Sequence, residues 1–225
     1  MEWLKALDDL RAEIRTAAQG CGRSPAKVLL VAVSKGRSVE DIQGLYEAGQ
    51  RDFGENRLQE LESKWNLLPQ DINWHFIGTL QTKKVPKVVG RIALIHSVDS
   101  LELAEKISEV SSKRQITSNI LLQVNPSNEA TKHGFTVERC REQFAELLEL
   151  PAVKIRGLMT MAPLTEDEGC IKQCFNDLYQ LFSELQAKYQ PVEFTELSMG
   201  MSHDFQLAIA HGATLVRIGS HLFKK

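Results

Sequence analysis

The sequence predicts an α/β fold, a single-domain (β/α)8 barrel of the TIM type with an extra N-terminal helix. Short apolar runs alternate with stretches of helical periodicity along most of the chain, and there are eight such runs. Alternation of this kind requires crossover connections and therefore parallel strands. Eight repeats within 225 residues fit a closed barrel better than an open sheet. No linker or second core interrupts the pattern, so residues 1–225 are predicted to form one domain.

The first element is an amphipathic packing helix within residues 1–20. Trp3, Leu7, Leu10 and Ile14 recur at helical spacing with charged residues between them. After the last predicted strand and Gly219-Ser220 only residues 221–225 remain, and they are too few for a closing helix. We therefore expect the N-terminal helix to pack on the outer face of the barrel beside that strand.

The remaining elements alternate along the chain. The predicted strands are residues 28–33, 51–54, 74–77, 92–96, 120–124, 155–159, 194–197 and 215–218. The predicted helices are residues 39–48, 57–67, 81–89, 101–111, 137–150, 166–189 and 203–211. The second strand is short, and Pro86 interrupts the helical pattern of residues 81–89.

Composition narrows the class of protein. With 43% hydrophobic and 25% charged residues, the chain lies in the globular range. A formal net charge of -2 and a pI near 6.3 give no field that attracts a polyanion, so we expect no nucleic-acid binding. No apolar run reaches the roughly 18 residues of a membrane span, and the N-terminus lacks the pattern of a signal peptide. A cytoplasmic protein without a membrane segment is therefore expected.

The four cysteines are expected to be reduced thiols in that compartment. Cys170 and Cys174 lie four residues apart on a predicted helix, a spacing that could suit a metal. No histidine flanks them, so we prefer packing against the helix and predict no metal site.

Lys35 is the residue that first indicates chemistry. It follows the apolar run 28–33, so a buried strand would deliver its amine into a pocket. Desolvation leaves a lysine amine partly neutral, and a neutral amine attacks carbonyl groups to form a Schiff base. The alternative is an ordinary salt-bridged or snorkelling lysine.

The loops after the seventh and eighth predicted strands carry small polar residues. In barrels of this type these loops often bind phosphate through backbone amides and hydroxyl groups. Ser202 also stands before the helix predicted from His203, where it would be the N-cap beside amides that favour an anion. Ordinary caps and turns would use the same residue types, but two adjacent loops of the same chemistry favour phosphate. The residues concerned are Ser198, Gly200, Ser202, Gly219 and Ser220.

Arg217 lies between Val216 and Ile218 on the last predicted strand, so we expect it to point into the barrel mouth, where its charge needs a partner. A phosphorylated aldehyde bound by Lys35 would satisfy both cations, and pyridoxal 5′-phosphate fits that description. His75 is isolated on an apolar strand, so a hydrogen-bonded core histidine is a better interpretation than a catalytic base.

The chain resembles the YggS/PROSC family, the pyridoxal 5′-phosphate homeostasis proteins. The shared motifs cover nearly the whole chain in order and together are far more specific than any one of them. They are Val31-Ala32-Val33-Ser34-Lys35, Phe53-Gly54-Glu55-Asn56 with Gln59-Glu60, Trp74-His75-Phe76-Ile77-Gly78 with Leu80-Gln81, Gln123-Val124-Asn125, Lys132 with Gly134, Arg156-Gly157-Leu158-Met159, Leu197-Ser198-Met199-Gly200-Met201-Ser202 with Asp204, and Val216-Arg217-Ile218-Gly219.

The resemblance implies a barrel like the N-terminal domain of alanine racemase, with pyridoxal 5′-phosphate held on Lys35 as a Schiff base. The phosphate would be surrounded by Ser198, Ser202, Gly219 and Ser220. Arg217 would lie near the pyridine nitrogen, leave it unprotonated and weaken the ring as an electron sink. Asn56 and Met161 would line the ring pocket.

The chain departs from the family pattern at four positions. Arg57 stands where an aromatic residue is common, Lys83 where asparagine is usual, Ser220 where threonine is usual and Lys224 where glycine is usual. Ser220 keeps the hydroxyl group. Arg57 and Lys83 are expected near the barrel mouth, where they could alter what docks there.

Three functions are compatible with these residues. A racemase needs a second base on the opposite face of the cofactor, which related enzymes take from a second domain or a partner subunit, and we expect neither here. We therefore prefer a non-catalytic, monomeric protein that carries or buffers pyridoxal 5′-phosphate for vitamin B6 and amino and keto acid homeostasis, with apoenzymes that use this cofactor as recipients. The alternatives are a small amino-acid racemase with His75 or Tyr46 as second base, and a Schiff-base aldolase acting on a phosphosugar.

Overall fold

The computed structural model describes residues 2–126 and 133–223. Eight parallel strands form a closed barrel in sequence order, with the first strand paired to the eighth. The strands are β1 Leu29–Val33, β2 Asp52–Glu55, β3 Asn73–Phe76, β4 Leu94–Val98, β5 Ser118–Gln123, β6 Val153–Met159, β7 Glu196–Ser198 and β8 Leu215–Ile218. The predicted (β/α)8 fold class is confirmed, because each predicted strand overlaps one strand of the barrel.

Helices connect the strands and cover the outside of the barrel. Within the described residues they are α1 Glu2–Gly20, α2 Val39–Glu47, α3 Leu58–Trp65, α4 Val85–Val88, α5 Leu101–Lys113, α6 Val137–Leu148, α7 Glu168–Tyr189 and α8 Phe205–Ala210. The helix predicted at residues 81–89 is a 3-10 turn, Thr82–Lys84, followed by the single turn of α4. Pro86 occupies the first turn of α4, where its missing N–H group breaks no helical hydrogen bond.

The N-terminal helix covers the side of the barrel near β8, as the sequence predicts. α1 packs against α8 and α2, and Leu7, Leu10 and Ala18 are fully buried there. The Arg23 guanidinium, just beyond α1, donates hydrogen bonds to the carbonyl of Ile209 at 2.6 Å and to that of Gly212 at 3.2 Å. These bonds tie the end of the helix to the end of α8.

The barrel interior has an apolar cluster and a polar region. Inward-facing side chains of β1, β4, β5, β6 and β8 form the cluster: Val31, Leu94, Leu121, Met159 and Leu215. Because successive side chains of a strand point to opposite faces, Leu30 and Ala32 join the larger core between sheet and helices. We use "C-terminal mouth" for the end of the barrel where the strands end and "N-terminal mouth" for the end where they begin.

Across residues 2–126 and 133–223, no helix combines the length and the apolar character that crossing a membrane requires.

Candidate functional site

Lys35 lies at the C-terminal mouth, two residues beyond the end of β1, in a turn. Its side chain is exposed, so the prediction of a buried lysine is wrong. The strand delivers Val33 and Ser34 into the buried interior, and the chain then turns out of the barrel at Lys35 and Gly36. The amine is therefore accessible to a ligand at the barrel surface.

Buried charged groups hold the residue that precedes Lys35. The Ser34 hydroxyl donates to Glu55 Oε1 at 2.8 Å, and the Lys64 ammonium donates to the Ser34 carbonyl at 2.9 Å. Lys64 Nζ also lies 2.6 Å from Glu55 Oε1, in a pair whose side chains are 7% and 0% exposed. A buried ion pair is favourable only when further hydrogen bonds use its remaining donors and acceptors. Here Ser34 provides two of them, so both its carbonyl group and its hydroxyl group are held in place.

The residue after Lys35 is held by the same helix, α3. The Gly36 amide donates to Glu60 Oε2 at 2.6 Å, and Glu60 lies 3.5 Å from Lys64. That amide, which is the largest effect, and the nearby Lys64 hold the pKa of Glu60 below its ordinary value. We name Ser34, Gly36, Glu55, Glu60 and Lys64 the lysine clamp, because they fix the chain on each side of Lys35.

Burial is the dominant influence on Glu55 within the lysine clamp. It raises the pKa of this carboxyl, while the hydrogen bonds from Lys64 and Ser34 work in the opposite direction. Glu55 Oε2 is buried without a hydrogen-bond partner. The sequence motifs include Glu55 and Glu60 without indicating a role for them, and they do not include Lys64. A lysine on the helix that follows a strand ending in glutamate is the sequence feature that could have indicated this ion pair.

The loops after β7 and β8 meet at the C-terminal mouth. The Ser220 hydroxyl donates to the Ser202 hydroxyl at 2.9 Å, which brings together two of the predicted phosphate ligands. Gly219 approaches β1 so closely that a Cβ there would lie 3.0 Å from the Val33 carbonyl oxygen. A side chain at this position would push the loop away from β1, so glycine allows the two hydroxyl groups to lie beside the Lys35 turn.

Ser202 is not the N-cap of the last helix. α8 begins at Phe205, and Asp204 occupies the cap position. The Asp204 carboxylate instead accepts the Met201 amide at 2.5 Å and closes the loop on itself. Burial raises the pKa of Asp204, opposed by that amide and then by Arg217. The prediction failed because sequence alone did not reveal the turn at residues 202–204.

Ser198 and Arg217 lie deeper, inside the barrel. Arg217 is 4% exposed; it donates to Ser198 Oγ at 2.6 Å and to the Thr160 carbonyl at 2.8 Å. Its location inside the barrel agrees with the sequence prediction. Burial lowers the pKa of Arg217 to about 10, opposed by Asp204, so the guanidinium stays charged at neutral pH. The Ser198 side chain is fully buried and its hydroxyl accepts from Arg217, and its contact with a phosphate stays a prediction.

The two predicted ring-pocket residues lie on loops at the same mouth. Asn56 follows β2 and is half-buried, and its backbone carbonyl lies against Gly78, where a Cβ would overlap it. Met161 follows Thr160 and is 42% exposed. Together with Lys35, Ser202 and Ser220 they surround the opening of the barrel.

The histidines and the tyrosine considered as bases lie elsewhere. His75 is 4% exposed and hydrogen-bonds His96 at 2.9 Å and Asp52 at 3.2 Å, which confirms a core histidine. Tyr46 is on the outer side, on α2, where its hydroxyl donates to Asp71 at 2.7 Å. Neither side chain shares the C-terminal mouth with Lys35.

The family departures have separate locations. Arg57 is exposed at the N-cap position of α3, and Lys83 is exposed in the 3-10 turn beside Glu102 and Glu105 of α5. Lys132 and Lys224 lie outside the described residues.

Of the two cysteines on α7, only Cys174 packs against the core as predicted. Cys174 is buried, whereas Cys170 is exposed and its thiol donates to Asp167 at 3.2 Å. Cys170 is in the first turn of α7, on the side turned away from the core. Within residues 2–126 and 133–223, no cluster of histidine, cysteine or acidic residues has the arrangement of a metal site.

The groups at the C-terminal mouth fit a phosphorylated aldehyde. An exposed primary amine stands at the end of β1, two adjoining hydroxyl groups stand at the ends of β7 and β8, and a buried guanidinium lies beneath them. Gly219 lets the loop after β8 lie directly against Val33 at the end of β1. The geometry therefore supports the class of barrel proteins that bind a phosphate-bearing carbonyl compound.

Comparison with known proteins agrees with this class. The family "Alanine racemase, N-terminal domain" matches residues 6–225. A pyridoxal phosphate homeostasis protein of Aquifex aeolicus is 42% identical over 224 residues, 99% of this chain and 98% of the relative. One from Schizosaccharomyces pombe is 36% identical over 225 residues, 96% of this chain and 90% of the relative. The chain belongs to the family of pyridoxal phosphate homeostasis proteins.

Solved structures show the same fold. PipY of Synechococcus elongatus with PLP bound has a TM-score of 0.87 and 37% identity, covering 99% of this chain and 100% of PipY. An alanine racemase of Clostridium difficile in complex with cycloserine has a TM-score of 0.76 at 15% identity, and the match covers 96% of this chain but 57% of the racemase. The second likeness shows the fold alone.

Proposed function

We propose that this protein binds pyridoxal 5′-phosphate reversibly through Lys35 and carries or buffers it, with no or negligible catalytic turnover. The observation that supports this most directly is the exposed amine of Lys35, held by the lysine clamp at the same mouth as the Ser202–Ser220 hydroxyl pair. The names of the relatives and the PLP-bound PipY structure point to the same ligand.

Each group has a role in the proposed complex. The cofactor supplies an aldehyde that condenses with a primary amine, with loss of one water molecule. Ser202, Ser220 and Gly219 would hold the phosphate. Arg217 would face the pyridine nitrogen, with Asn56 and Met161 against the ring.

The buried arginine supports a carrier rather than an enzyme. A guanidinium beside the pyridine nitrogen donates hydrogen bonds without giving up a proton, because the pKa of Arg217 remains about 10. An unprotonated ring is a weak electron sink, and stabilising an α-carbanion is the step that racemisation needs. The two candidate second bases also lie away from the mouth: His75 inside the barrel, Tyr46 on its outer side.

Delivery of the cofactor requires that Lys35 can be reached by water and by a recipient. The exposed amine and the exposed Met161 make the ring side of the site accessible at the barrel surface. We therefore propose apoenzymes that use this cofactor as recipients, with the protein acting as a monomer inside the cell. Arg57 and Lys83, both exposed, would contribute to the surface that a recipient meets.

A racemase is the second candidate function. It is favoured by the match of residues 6–225 to the alanine racemase N-terminal domain family, whereas the likeness to a solved alanine racemase shows the fold alone. Exchange of the α-proton of amino acids with deuterium in the presence of the protein and cofactor would separate the two, since a carrier gives none above the rate of free pyridoxal 5′-phosphate.

The deciding experiment is absorption spectroscopy of the protein mixed with pyridoxal 5′-phosphate, before and after borohydride reduction. We expect a shifted visible band that reduction fixes on Lys35 and that Lys35→Ala lacks. Lys113→Ala, which removes another exposed lysine on α5, serves as the control and should keep the band. Absence of a band in the wild-type protein would reject cofactor binding and favour the phosphosugar aldolase, and robust turnover of an amino acid would reject the carrier.

A further inference from the structure

A chain of hydrogen bonds passes through the barrel from Arg217 to the opposite mouth. Arg217 lies 2.6 Å from Ser198 Oγ, Ser198 Oγ lies 2.8 Å from His96 Nδ1, and His96 Nε2 lies 2.9 Å from His75 Nδ1. His75 Nε2 then lies 3.2 Å from Asp52 Oδ1. We name Arg217, Ser198, His96, His75 and Asp52 the relay.

The relay crosses the interior instead of following the sheet. His96 is on β4 and Ser198 on β7, and these strands are not neighbours, so the two side chains can meet only inside the barrel. His96 and Ser198 are both fully buried, close to the apolar cluster that includes Leu94. Polar groups in such a place are costly unless they are hydrogen-bonded, and the relay supplies each with a partner.

The two ends of the relay assign the same direction to its hydrogen bonds. A carboxylate only accepts, so His75 donates from Nε2 to Asp52, and in its neutral form it accepts at Nδ1 from His96 Nε2. A guanidinium only donates, so the Ser198 oxygen accepts from Arg217; when His96 has its proton on Nε2, the Ser198 hydroxyl donates to His96 Nδ1. Both histidines are thereby assigned the Nε2–H tautomer from their partners.

The surroundings of His96 keep that assignment in place. Burial, with smaller contributions from His75 and Arg217, holds the pKa of His96 well below its ordinary value. The ring therefore stays neutral and has one N–H group, which donates its hydrogen bond to His75. Its unprotonated Nδ1 can only accept, and this holds the Ser198 hydroxyl with its lone pairs toward Arg217.

The far end of the relay opens into a cavity. Asp52 is 17% exposed and lines, with His75, Asn119 and Glu196, a space of about 800 Å³ at the N-terminal mouth. Asn73 donates to the same oxygen of Asp52 at 3.2 Å. The carboxylate is therefore oriented toward His75 from one side and remains reachable by water from the other.

We propose that the relay holds Arg217 in one orientation, so that Asp52 at the N-terminal mouth acts as a positioning residue for a ligand bound at the C-terminal mouth. The inference rests on the proposed function, because Arg217 is the group expected to face the pyridine nitrogen. Loss of the carboxylate lets both histidines reverse the direction of their hydrogen bonds, and a proton on His96 Nδ1 then competes with Arg217 for the lone pairs of Ser198 Oγ.

The first test needs no cofactor. Long-range nitrogen–proton correlation spectra of nitrogen-15-labelled protein report the tautomer of each histidine. We expect His75 and His96 both to be neutral with the proton on Nε2. A proton on Nδ1, or a doubly protonated ring, at either residue would overturn the relay whether or not pyridoxal 5′-phosphate binds.

The second test measures affinity for pyridoxal 5′-phosphate and the position of its absorption band in three variants. Asp52→Leu should weaken binding about tenfold, as loss of outer partners does at metal-binding histidines, and should shift the band. Asp52→Asn keeps an acceptor oxygen for His75 and should restore most of the affinity. Glu196→Leu removes a carboxylate from the same cavity outside the relay, where it accepts from Thr214 at 2.7 Å, and should leave both readouts unchanged.

The outcomes separate the relay from the proposed function. No band in the wild-type protein would reject cofactor binding, with the tautomers still deciding whether the relay exists. An unchanged affinity in Asp52→Leu, an equal loss in Glu196→Leu, or no recovery in Asp52→Asn would overturn the positioning role. If Asp52→Leu fails to fold, His75→Phe cuts the relay inside the barrel with similar volume and is judged by the same two readouts.

Discussion

Replacing Lys64 with methionine should destabilise the protein far more than an ordinary surface substitution. Lys64 is 7% exposed and its ammonium lies 2.6 Å from the fully buried Glu55 carboxylate. The variant leaves that carboxylate buried without its cation, and breaking a buried pair in this way costs about 3–5 kcal/mol. For a domain of this size each kcal/mol shifts the melting temperature by about 2–4 °C, so a decrease of roughly 6–20 °C is expected.

Urea denaturation followed by circular dichroism measures this free energy of unfolding. Lys87→Met is the matched control, because Lys87 is 60% exposed and its pair with Glu62 at 3.1 Å is a surface pair worth at most about 1 kcal/mol. The double variant Glu55→Gln, Lys64→Met removes the orphaned charge and should recover part of the loss. A Lys64→Met protein no less stable than Lys87→Met would refute the account of the lysine clamp.

The loss in Lys64→Met should also depend on pH. Burial raises the pKa of Glu55 above its ordinary 4.5 and Lys64 opposes this, so removing Lys64 leaves the pKa higher still. A carboxyl group whose pKa is raised on folding contributes stability that is present below its unfolded pKa and lost as the pH rises through the folded value. The difference from wild type should therefore be smallest near pH 4.5 and largest above the raised pKa.

Two further predictions concern the phosphate loops and the closure of the barrel. Ser202→Ala and Ser220→Ala should each weaken binding of pyridoxal 5′-phosphate by about 10–100-fold, because one hydrogen bond to a charged group contributes about 1.5–3 kcal/mol. Binding of phosphate-free pyridoxal should change little. Equal losses for both ligands by fluorescence titration would place the phosphate elsewhere. Gly157→Ala should lower the free energy of unfolding by about 2–6 kcal/mol, for two reasons. The φ of 153° is strained for alanine, and its Cβ would overlap the Glu196 backbone. Gly20→Ala, where a Cβ meets nothing within 4 Å, should be neutral or slightly stabilising in the same urea titration.

The elements of the fold were predictable from periodicity because each strand buries an apolar run and each helix an apolar face. What failed depends on contacts between distant parts of the chain. Lys35 was expected inside a pocket, but its exposure is set by where the chain leaves β1, and the clamp that fixes this turn comes from β2 and α3. Similarly, the bond between His96 and Ser198 joins residues 102 positions apart, and no local pattern reports it.

The positions of the binding groups suit a ligand that must leave again. Lys35 and Ser220 are exposed and Ser202 is only partly buried, so in the proposed complex water would reach the bond to Lys35 and the phosphate would exchange without opening of the barrel. Arg217, in contrast, is held inside the barrel by Ser198 and Thr160 and cannot follow the ligand outward. In the proposed complex, selectivity for the ring would come from a rigid interior group and the attachment at the mouth would stay reversible. An enzyme that retains its cofactor through every turnover would gain from the opposite arrangement, with the lysine enclosed.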